Sequence, residues 1–380
     1  MNHRIWIAAT LVVASACGRD VMEPTTPTPG AASANLSEHQ AAGHVYTLSN
    51  SASGNAVLAY TRAADGSLTA AGSVATTGKG TGAGLGSQGA VILSADGRLL
   101  FAVDAGSNQI SSFLVTASGL SHVATVSSHG AKPISVTLHG NWLYVLNAGE
   151  SGNITGFRVS QTGDLTWISG STRSLGGTAV DPAEVAFSPD GRLLAVTEKA
   201  VSKIATYVVN ASGMAGAPII NASVGITPFG FTFDLNGTLI VSEAFGGMPN
   251  ASATSTYRMN ADGTLRVSSS SVATHQTAAC WAVVTDNGQY AYVSNTGSGS
   301  VSGYMVHDRR LALLNADGRT GVSGAGPADA ALSVNSQYLY VRSGGSNSIS
   351  AFQLQPGSGA LTSLAGASGL PAGSVGLAAN

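Results

Sequence analysis

The sequence GSVGLAAN, residues 373–380, decides how the repeats of this chain are counted. It reads as half of a hairpin, an apolar strand that runs into a polar residue. Residues 374–380 align with residues 184–190 (EVAFSPD), which begin a complete hairpin. The missing second strand lies at the other end of the repeats, in residues 44–50 (HVYTLSN), which align with residues 192–198. Joining the two pieces completes one repeat and predicts a ring closed by the C-terminal strand.

Six complete copies of this hairpin lie between the two pieces. Each is an apolar strand, a polar turn and a second strand ending in a polar residue. They read AVILSADGRLLFAVD (90–104), SVTLHGNWLYVLN (135–147), EVAFSPDGRLLAVTE (184–198), GFTFDLNGTLIVSE (230–243), AVVTDNGQYAYVSN (282–295) and AALSVNSQYLYVRS (330–343). The turn residue, from Gly97 to Ser336, recurs every 43 to 51 residues. This is the period of a four-stranded propeller blade.

A second hairpin follows each copy, with turns such as AADGSL (63–68), QTGDL (161–165) and NADGTL (260–265). There are seven of these second turns and six of the first kind, so the split repeat supplies the seventh blade. A β-solenoid has shorter coils without two hairpins per repeat, and a pair of β-sandwiches leaves the split repeat unexplained. No long stretch shows the 3.6-residue apolar period of a helix. We therefore predict an all-β, seven-bladed β-propeller of four-stranded antiparallel blades over residues 43–380, with each blade running outward from the channel.

Composition agrees with short strands and excludes some functions. Hydrophobic residues make up 44% of the chain and charged residues 9%, with 49 glycines. Few charges and many small residues suit strands joined by turns. The net charge of −2 provides no electrostatic basis for binding DNA or RNA. Cysteine occurs only at Cys17 and Cys280, without a Cys-x-x-Cys or His-Glu-x-x-His motif, so no metal site is predicted.

The N-terminal segment predicts export. Residues 1–4 (MNHR) are basic, and residues 5–14 (IWIAATLVVA) form an apolar run too short to span a bilayer as a mature helix. The small residues that precede Cys17 resemble a bacterial lipoprotein signal, which predicts a signal peptide over residues 1–17 and lipidation of Cys17. Residues 18–42, rich in Pro, Thr, Ser and Ala, read as a flexible tether. We expect a cell-envelope lipoprotein of the outer membrane or periplasm, attached only by its lipid; the alternative is an ordinary signal peptide and a secreted protein.

Propeller topology collects polar residues at one mouth of the channel. The loop entering each inner strand and the loop leaving each second strand emerge on the same face, where ligand sites are common. Among the strand-end residues, Glu198 and Glu243 stand on neighbouring blades. Mutual repulsion would raise one pKa and prepare the pair as acid and base, so both are candidate catalytic residues. The alternative is that each carboxylate caps backbone amides at its strand end.

Further candidates for substrate binding lie on the same face. The loop at residues 243–250 (EAFGGMPN) is glycine-rich and able to present backbone N–H groups to an oxyanion. His275 and Trp281 flank the entry to the next blade, although Trp281 also suits packing between blades. No Gly-x-Ser-x-Gly occurs, so serine chemistry has no support. The candidate substrate-binding residues are Asn50, Asp104, Asn147, Lys199, Phe229, His275, Trp281 and Asn295.

Four stretches carry a family resemblance that covers residues 43–380. They are LLAVTEKAVSKIATYVV (193–209), TPFGFTFDLNGTLIVSEAFGG (227–247), TAACWAVVTDNGQYAYVSNTGSGSVSGY (277–304) and GLPAGSVGLAAN (369–380). They resemble a secreted branch of the seven-bladed β-propeller lactonases, which include 6-phosphogluconolactonases and carboxymuconate-lactonising enzymes. The resemblance implies hydrolysis or formation of a lactone without a metal or organic cofactor. The histidine stretch of other members is absent, because the chain reads VDPAEV at residues 180–185.

Two functions follow as hypotheses. The first is an envelope lactonase of the carboxylic ester hydrolase type, in which Glu198 or Glu243 activates water while Asn147, Asn295 and loop amides stabilise the oxyanion. Its ligand would be a small lactone or sugar-like molecule, and we expect a monomer. The second is a non-catalytic surface propeller similar to YVTN-type modules, which binds a glycan, peptide or protein. The stretches that resemble these modules are LYVLN (143–147), AYVSN (291–295) and LYVRS (339–343). Fold alone does not choose between them.

Overall fold

The structure, a computed structural model, describes residues 42–380 and consists of seven antiparallel sheets. In chain order, β1–β3 are Gly43–Leu48, Ala56–Arg62 and Leu68–Ala75; β4–β7 are Val91–Leu93, Leu99–Asp104, Gln109–Thr116 and Gly119–Ser127; β8–β12 are Pro133–His139, Trp142–Asn147, Asn153–Val159, Leu165–Trp167 and Arg173–Ser174; β13–β16 are Pro182–Phe187, Leu193–Glu198, Lys203–Val208 and Ile219–Ala222. The remainder are β17–β20 at Pro228–Phe233, Thr238–Glu243, Ala253–Met259 and Leu265–Ala273; β21–β25 at Ala279–Val284, Tyr290–Asn295, Ser300–His307, Arg310–Leu313 and Gly321–Val322; β26–β29 at Pro327–Leu332, Tyr338–Ser343, Ser348–Leu354 and Leu361–Ser368; and β30 at Val375–Ala379.

Each sheet is one blade of a propeller, which confirms the predicted fold. Blade one contains β30 and β1–β3, and blades two to seven follow in chain order. The inner strands β30, β4, β8, β13, β17, β21 and β26 each contact the next around the ring. In blades three and six the outer strand is divided, so that two short strands pair with the third. Two single-turn 3₁₀ helices, Lys199–Val201 and Phe245–Gly247, occur in the described chain.

The ring is closed as the split repeat predicts. Strand β30 pairs antiparallel with β1, with Val45 opposite Ala379 and Leu48 opposite Val375. The backbone N–H of His44 also donates to Oδ1 of Asn380 over 2.6 Å. Arg62 reaches from β2 to the carbonyl of Asn380 at 3.1 Å. The first and last strands of the propeller are therefore joined in one sheet with no exposed edge between them.

The inner hairpins share one turn geometry. Gly97, Gly191, Gly237 and Gly288 occupy the same turn position with φ between 68° and 73°. In each turn this N–H donates to the carbonyl three residues earlier, as from Gly97 to Ser94 at 2.8 Å. Glycine has no Cβ to clash at positive φ, so the residue type matches the turn that the repeat requires. Blade seven has Ser336 there, with φ 52°.

Buried tyrosines join neighbouring blades. The hydroxyl of Tyr144 in blade three donates to the carbonyl of Gly213 in the outer hairpin of blade four at 2.7 Å. Tyr292 makes the equivalent bond to Gly359 at 2.8 Å, and Tyr340 to Gly66 at 2.8 Å. These rings are almost completely buried and pack with the aliphatic side chains of the second strands. Each tyrosine thus contributes apolar area while its hydroxyl remains hydrogen-bonded.

The predicted signal peptide, Cys17 and the tether up to residue 41 lie outside the described residues. Within the described part of the chain, no helix is long and apolar enough to cross a membrane.

Candidate active site at the channel mouth

The polar residues that end the second strands form a buried column rather than an open rim. Several of them bond to the connector through which the chain enters the same blade. Asn147 Nδ2 donates to the carbonyl of Ser128, and Asp104 accepts from Asn55 of the β1–β2 loop and from Thr76 of the preceding connector. Asn295 donates to Ser300 and Ser302 of the adjacent strand. These groups bond to the protein itself, whereas the side-chain oxygens of Asn147 and Asn295 have no hydrogen-bond partner within residues 42–380.

Glu198 occupies this column in blade four and is completely buried. Its Oε1 accepts the backbone N–H of Gly176 at 2.6 Å, while no hydrogen-bond donor within residues 42–380 reaches Oε2. Burial raises the pKa of this carboxyl group, and the amide bond opposes the rise. Glu198 therefore caps a backbone amide of the connector, which is the alternative to a catalytic role that the sequence left open.

Glu243 holds the same position in blade five. Its Oε1 accepts the N–H of Gly225 at 2.9 Å, and its Oε2 accepts the hydroxyl of Ser271 at 2.6 Å. It too is completely buried. The two carboxylates share no hydrogen-bond partner: Glu198 bonds to Gly176 of its connector, whereas Glu243 bonds to Gly225 of its connector and to Ser271 of β20. The structure therefore does not bring the predicted acid–base pair together.

An open cavity of about 580 Å³ lies at the mouth beside blades four and five. It is lined by Asp181, Lys199, Ala200, Ser202, Ile226, Thr227 and Phe229. Strand β14 ends at Glu198, and the following 3₁₀ turn directs Lys199 into this cavity. The ammonium Nζ lies 4.5 Å from the centre of the Phe229 ring, 3.4 Å from Asp181 Oδ1 and 2.9 Å from the carbonyl oxygen of Gly86.

Lys199 and Asp181 differ in their exposure to water. The lysine side chain is 9% exposed, whereas the aspartate side chain is 66% exposed. Burial lowers the pKa of Lys199, and the neighbouring Asp181 opposes that shift. A cation desolvated in this way interacts strongly with a developing negative charge. The pair thus offers an electrophilic group and a carboxylate within one cavity.

The connector between blades one and two crosses the channel. The side-chain amide of Gln88 exchanges two hydrogen bonds with the backbone of Ala282 in blade six, at 2.8 and 3.1 Å. The backbone N–H of Gln88 also donates to Ala183 of blade four. Asn50, a predicted binding residue, is buried and donates to the carbonyls of Ala83 and Gly373. It therefore anchors this connector instead of facing the cavity.

A smaller cavity of about 200 Å³ lies beneath this connector. Phe229 belongs to both cavities and packs edge-on against Trp281, with ring centroids 4.8 Å apart. Cys280 also lines the smaller cavity, and burial raises the pKa of its thiol to about 11. Of the predicted binding residues, the two cavities bring together Lys199, Phe229 and Trp281. His275 is exposed in the connector before β21 and lines neither cavity.

Three buried charged residues of the channel were not among the predicted site residues. Glu184, Asp329 and Arg342 lie buried on strands β13, β26 and β27. A signal was available, because each is a charged residue within an otherwise apolar strand of the repeat. Within residues 42–380, no group of three or more His, Cys, Asp or Glu side chains is placed to hold a metal ion.

The fold and the site together define a seven-bladed propeller with a cavity at one channel mouth that is lined in part by a buried lysine. This chain belongs to the seven-bladed β-propeller lactonase family, whose model matches residues 22–182 and 251–375. No curated protein sequence matches the chain.

Solved structures show the same fold at low sequence identity. The periplasmic gluconolactonase of Pseudomonas aeruginosa is 19% identical over 87% of this chain and 98% of its own, with a TM-score of 0.68. A protein of Lactobacillus plantarum is 17% identical over 89% of this chain and 99% of its own, with a TM-score of 0.72. A protein of Bacteroides fragilis, named provisionally as a 6-phosphogluconolactonase, is 19% identical over 89% of this chain and 98% of its own, with a TM-score of 0.67.

Proposed function

We propose that this protein hydrolyses a lactone in the mouth cavity beside Lys199. The observation that carries the proposal is a nearly buried ammonium group, 3.4 Å from an exposed carboxylate, in a propeller of the lactonase family. The gluconolactonase among the structural neighbours supports the same reaction class. Ester-type hydrolysis needs a cation or hydrogen-bond donor for the oxyanion and a base for water, and this cavity holds both.

Lys199 would stabilise the oxyanion, and Asp181 would act as general base. A water molecule gives a proton to Asp181 and adds to the lactone carbonyl carbon, and the negative charge develops on the carbonyl oxygen beside Lys199 Nζ. The ring C–O bond then breaks, and Asp181 returns the proton to the leaving alkoxide. The product is an open-chain hydroxy acid. Phe229 lies under the ammonium and provides an apolar wall for the ring of the substrate.

This assignment moves the proposed chemistry away from Glu198 and Glu243. Both carboxylates are fully buried and bonded to connector amides, whereas Asp181 is open to solvent. A general base must lie within hydrogen-bonding reach of the water that it activates. The exposed carboxylate of Asp181 lines the mouth cavity, which supports its assignment as the base.

A panel of γ- and δ-lactones that includes glucono-δ-lactone tests the proposal. Lys199→Met should lower kcat/KM by at least about 10²-fold, the scale of losing one oxyanion stabiliser, and Asp181→Asn by a similar factor. Lys203→Met is the matched control, since Lys203 is an exposed lysine on the following strand. Wild-type rates in Lys199→Met, or absence of hydrolysis of every lactone by the wild type, would overturn the proposal.

The alternative is a non-catalytic binding propeller, and one observation favours it. The loops around the mouth cavity expose apolar side chains, with Ile226 47% and Met248 48% exposed. Hydrogen bonds between Ser202 and Thr227 and between Ile226 and Phe245 hold these loops together in one wall. Exposed apolar groups of this kind occur at binding surfaces. A protein that binds lactones or glycans without turnover would support this alternative.

We also propose that the protein is exported and anchored through lipidated Cys17. The support is the sequence before Cys17, with its basic start, short apolar run and small residues. Labelling of expressing cells with a radioactive fatty acid should mark the wild type and leave Cys17→Ser unlabelled. Label in Cys17→Ser, or none in either, would contradict lipidation at this residue.

A further inference from the structure

The smaller cavity beneath the blade-one connector is built around two buried nitrogen donors. Its roof is residues 84–87 of the connector, and its apolar walls include Leu85, Phe229 and Val375. Arg342 and Trp281 also line it, at 4% and 3% exposure. The cavity therefore combines an apolar lining with a cationic group.

Neither donor is fully used by the protein. The indole Nε1 of Trp281 and the guanidinium Nε of Arg342 have no hydrogen-bond acceptor within residues 42–380. Arg342 makes one hydrogen bond, from Nη2 to the carbonyl of Ala328 at 3.3 Å. A buried donor without an acceptor destabilises the folded protein, and more so when it is charged. Two such donors on the wall of one cavity indicate a missing acceptor.

The charge of Arg342 points to the kind of acceptor. Arg342 forms no ion pair with any carboxylate in the described residues. Asp329 lies opposite it in the strand pairing and attracts it electrostatically, but the two groups form no ion pair: Asp329 Oδ1 accepts the N–H of Ala330, and Oδ2 has no hydrogen-bond partner within residues 42–380. Burial raises the pKa of Asp329 to about 7 and lowers the pKa of Arg342. A buried guanidinium with no carboxylate oxygen in hydrogen-bonding reach is costly, so a bound anion would stabilise it.

We propose that this inner cavity binds a small organic monocarboxylate, whose oxygens accept from Arg342 and Trp281. One cation balances one negative charge, and a guanidinium suits a carboxylate because its N–H groups are held in a planar fork. The walls formed by Leu85, Phe229 and Val375 contact a short hydrocarbon chain. A volume of about 200 Å³ accommodates an acid of a few carbon atoms. This site adjoins the mouth cavity, with which it shares Phe229, but Lys199 does not line it, and it binds a carboxylate whether or not the protein hydrolyses lactones.

Calorimetric titration of the folded protein with propionate tests the site. The uncharged isostere propionamide is the control ligand. Propionate should bind with a millimolar or lower dissociation constant, and propionamide at least about 10-fold more weakly, the effect of a charge-assisted hydrogen bond. Propionate should also raise the melting temperature of the wild type, because it binds the folded state alone.

Variants locate the binding in this cavity. Arg342→Gln should weaken propionate at least about 10-fold and abolish the propionate-dependent rise in melting temperature. Arg309→Gln is the matched control, since Arg309 lines other cavities, formed by hairpin turns of blades four, five and six. Trp281→Phe keeps most of the ring and removes the N–H, so it provides a second test if Arg342→Gln does not fold. Equal binding of propionate and propionamide, equal affinity in Arg342→Gln and wild type, or no binding of propionate would overturn the proposal.

Discussion

The hydroxyl of Thr47 hydrogen-bonds to the carbonyls of Val375 and Gly376, at 3.1 and 2.7 Å, although up to 329 residues separate the partners in sequence. Thr47 lies on β1 and is completely buried. This contact secures the strand that completes blade one. Closing a long loop costs entropy, so the contacts at the closure must hold the two ends together once they have met.

Removal of residues 374–380 should therefore destabilise the whole propeller. The deletion takes away the inner strand of blade one and exposes the edge of β1. We expect a large fall in melting temperature or aggregation, measured by scanning calorimetry and size-exclusion chromatography. Thr47→Val, which removes only the hydroxyl, should cost about 1 kcal/mol, and exposed Thr166→Val should cost almost nothing. A truncated chain that melts like the full protein would contradict closure.

Glu198→Gln should be neutral or slightly stabilising. The glutamine carbonyl still accepts the N–H of Gly176, and its NH₂ replaces the unpartnered Oε2, so that a buried charge is removed. Because burial raises the pKa of Glu198, the stability due to its protonated form is present at low pH and is lost as pH rises through that raised pKa. The advantage of Glu198→Gln in urea unfolding should therefore grow with pH.

Activity measurements on the same variants separate capping from catalysis. Glu198→Gln and Glu243→Gln should keep lactone hydrolysis within roughly twofold of wild type, since both caps can retain the connector amide. A loss of about 10²-fold in either variant would restore the acid–base role predicted from sequence. Glu243→Ala, which leaves Gly225 and Ser271 without their partner, should be destabilised by about 1–3 kcal/mol.

Gln88→Ala should destabilise the protein by about 1–3 kcal/mol. The substitution removes both hydrogen bonds to Ala282 and leaves a buried N–H and C=O without partners. Chemical denaturation gives the measurement, and Gln353→Ala, an exposed glutamine on β28, is the control. Equal stabilities of the two variants would show that the connector is not held by this side chain.

Asp329→Asn should lose less stability than the wild type as pH rises. The carboxyl pKa is about 3.8 in its ordinary state and about 7 in the folded protein, so the wild type loses stability as pH rises from about 4 to 7. The melting temperature of Asp329→Asn relative to wild type should be higher at pH 8 than at pH 5. Buried Glu184, whose pKa is also raised, and the cation Arg342 face the same region. They determine the pH dependence of stability that remains in Asp329→Asn.

A surface control distinguishes this effect from a general pH dependence. Hydrogen bonds from Ser94 and the Arg98 backbone lower the pKa of exposed Asp96, so its stabilisation is lost as pH falls. The difference in melting temperature between Asp96→Asn and wild type should therefore change with pH in the opposite direction, and only by a small amount. Parallel pH profiles for wild type and Asp329→Asn would contradict the assignment to Asp329.

Local pattern was sufficient to predict the hairpins. Gly97 and Gly191 mark turns whose positive φ is set within four residues, and alternation along each strand sets which face is buried. The sequence also placed Lys199, Phe229 and Trp281 at one mouth, because blade topology assigns loops to faces. It did not predict that Glu198 and Glu243 are covered, since that depends on how each connector folds over its own blade.

The sequence by itself determined the number of blades, the order of strands and the closure of blade one by residues 374–380, because these follow from counting local repeats. Only the tertiary structure decided which polar residues face a ligand. Lys199 meets Gly86 across 113 residues, and Gln88 meets Ala282 across 194. Such contacts depend on the path of one connector across the channel, which no local periodicity encodes. The same path encloses Arg342 and Trp281 and forms the inner cavity.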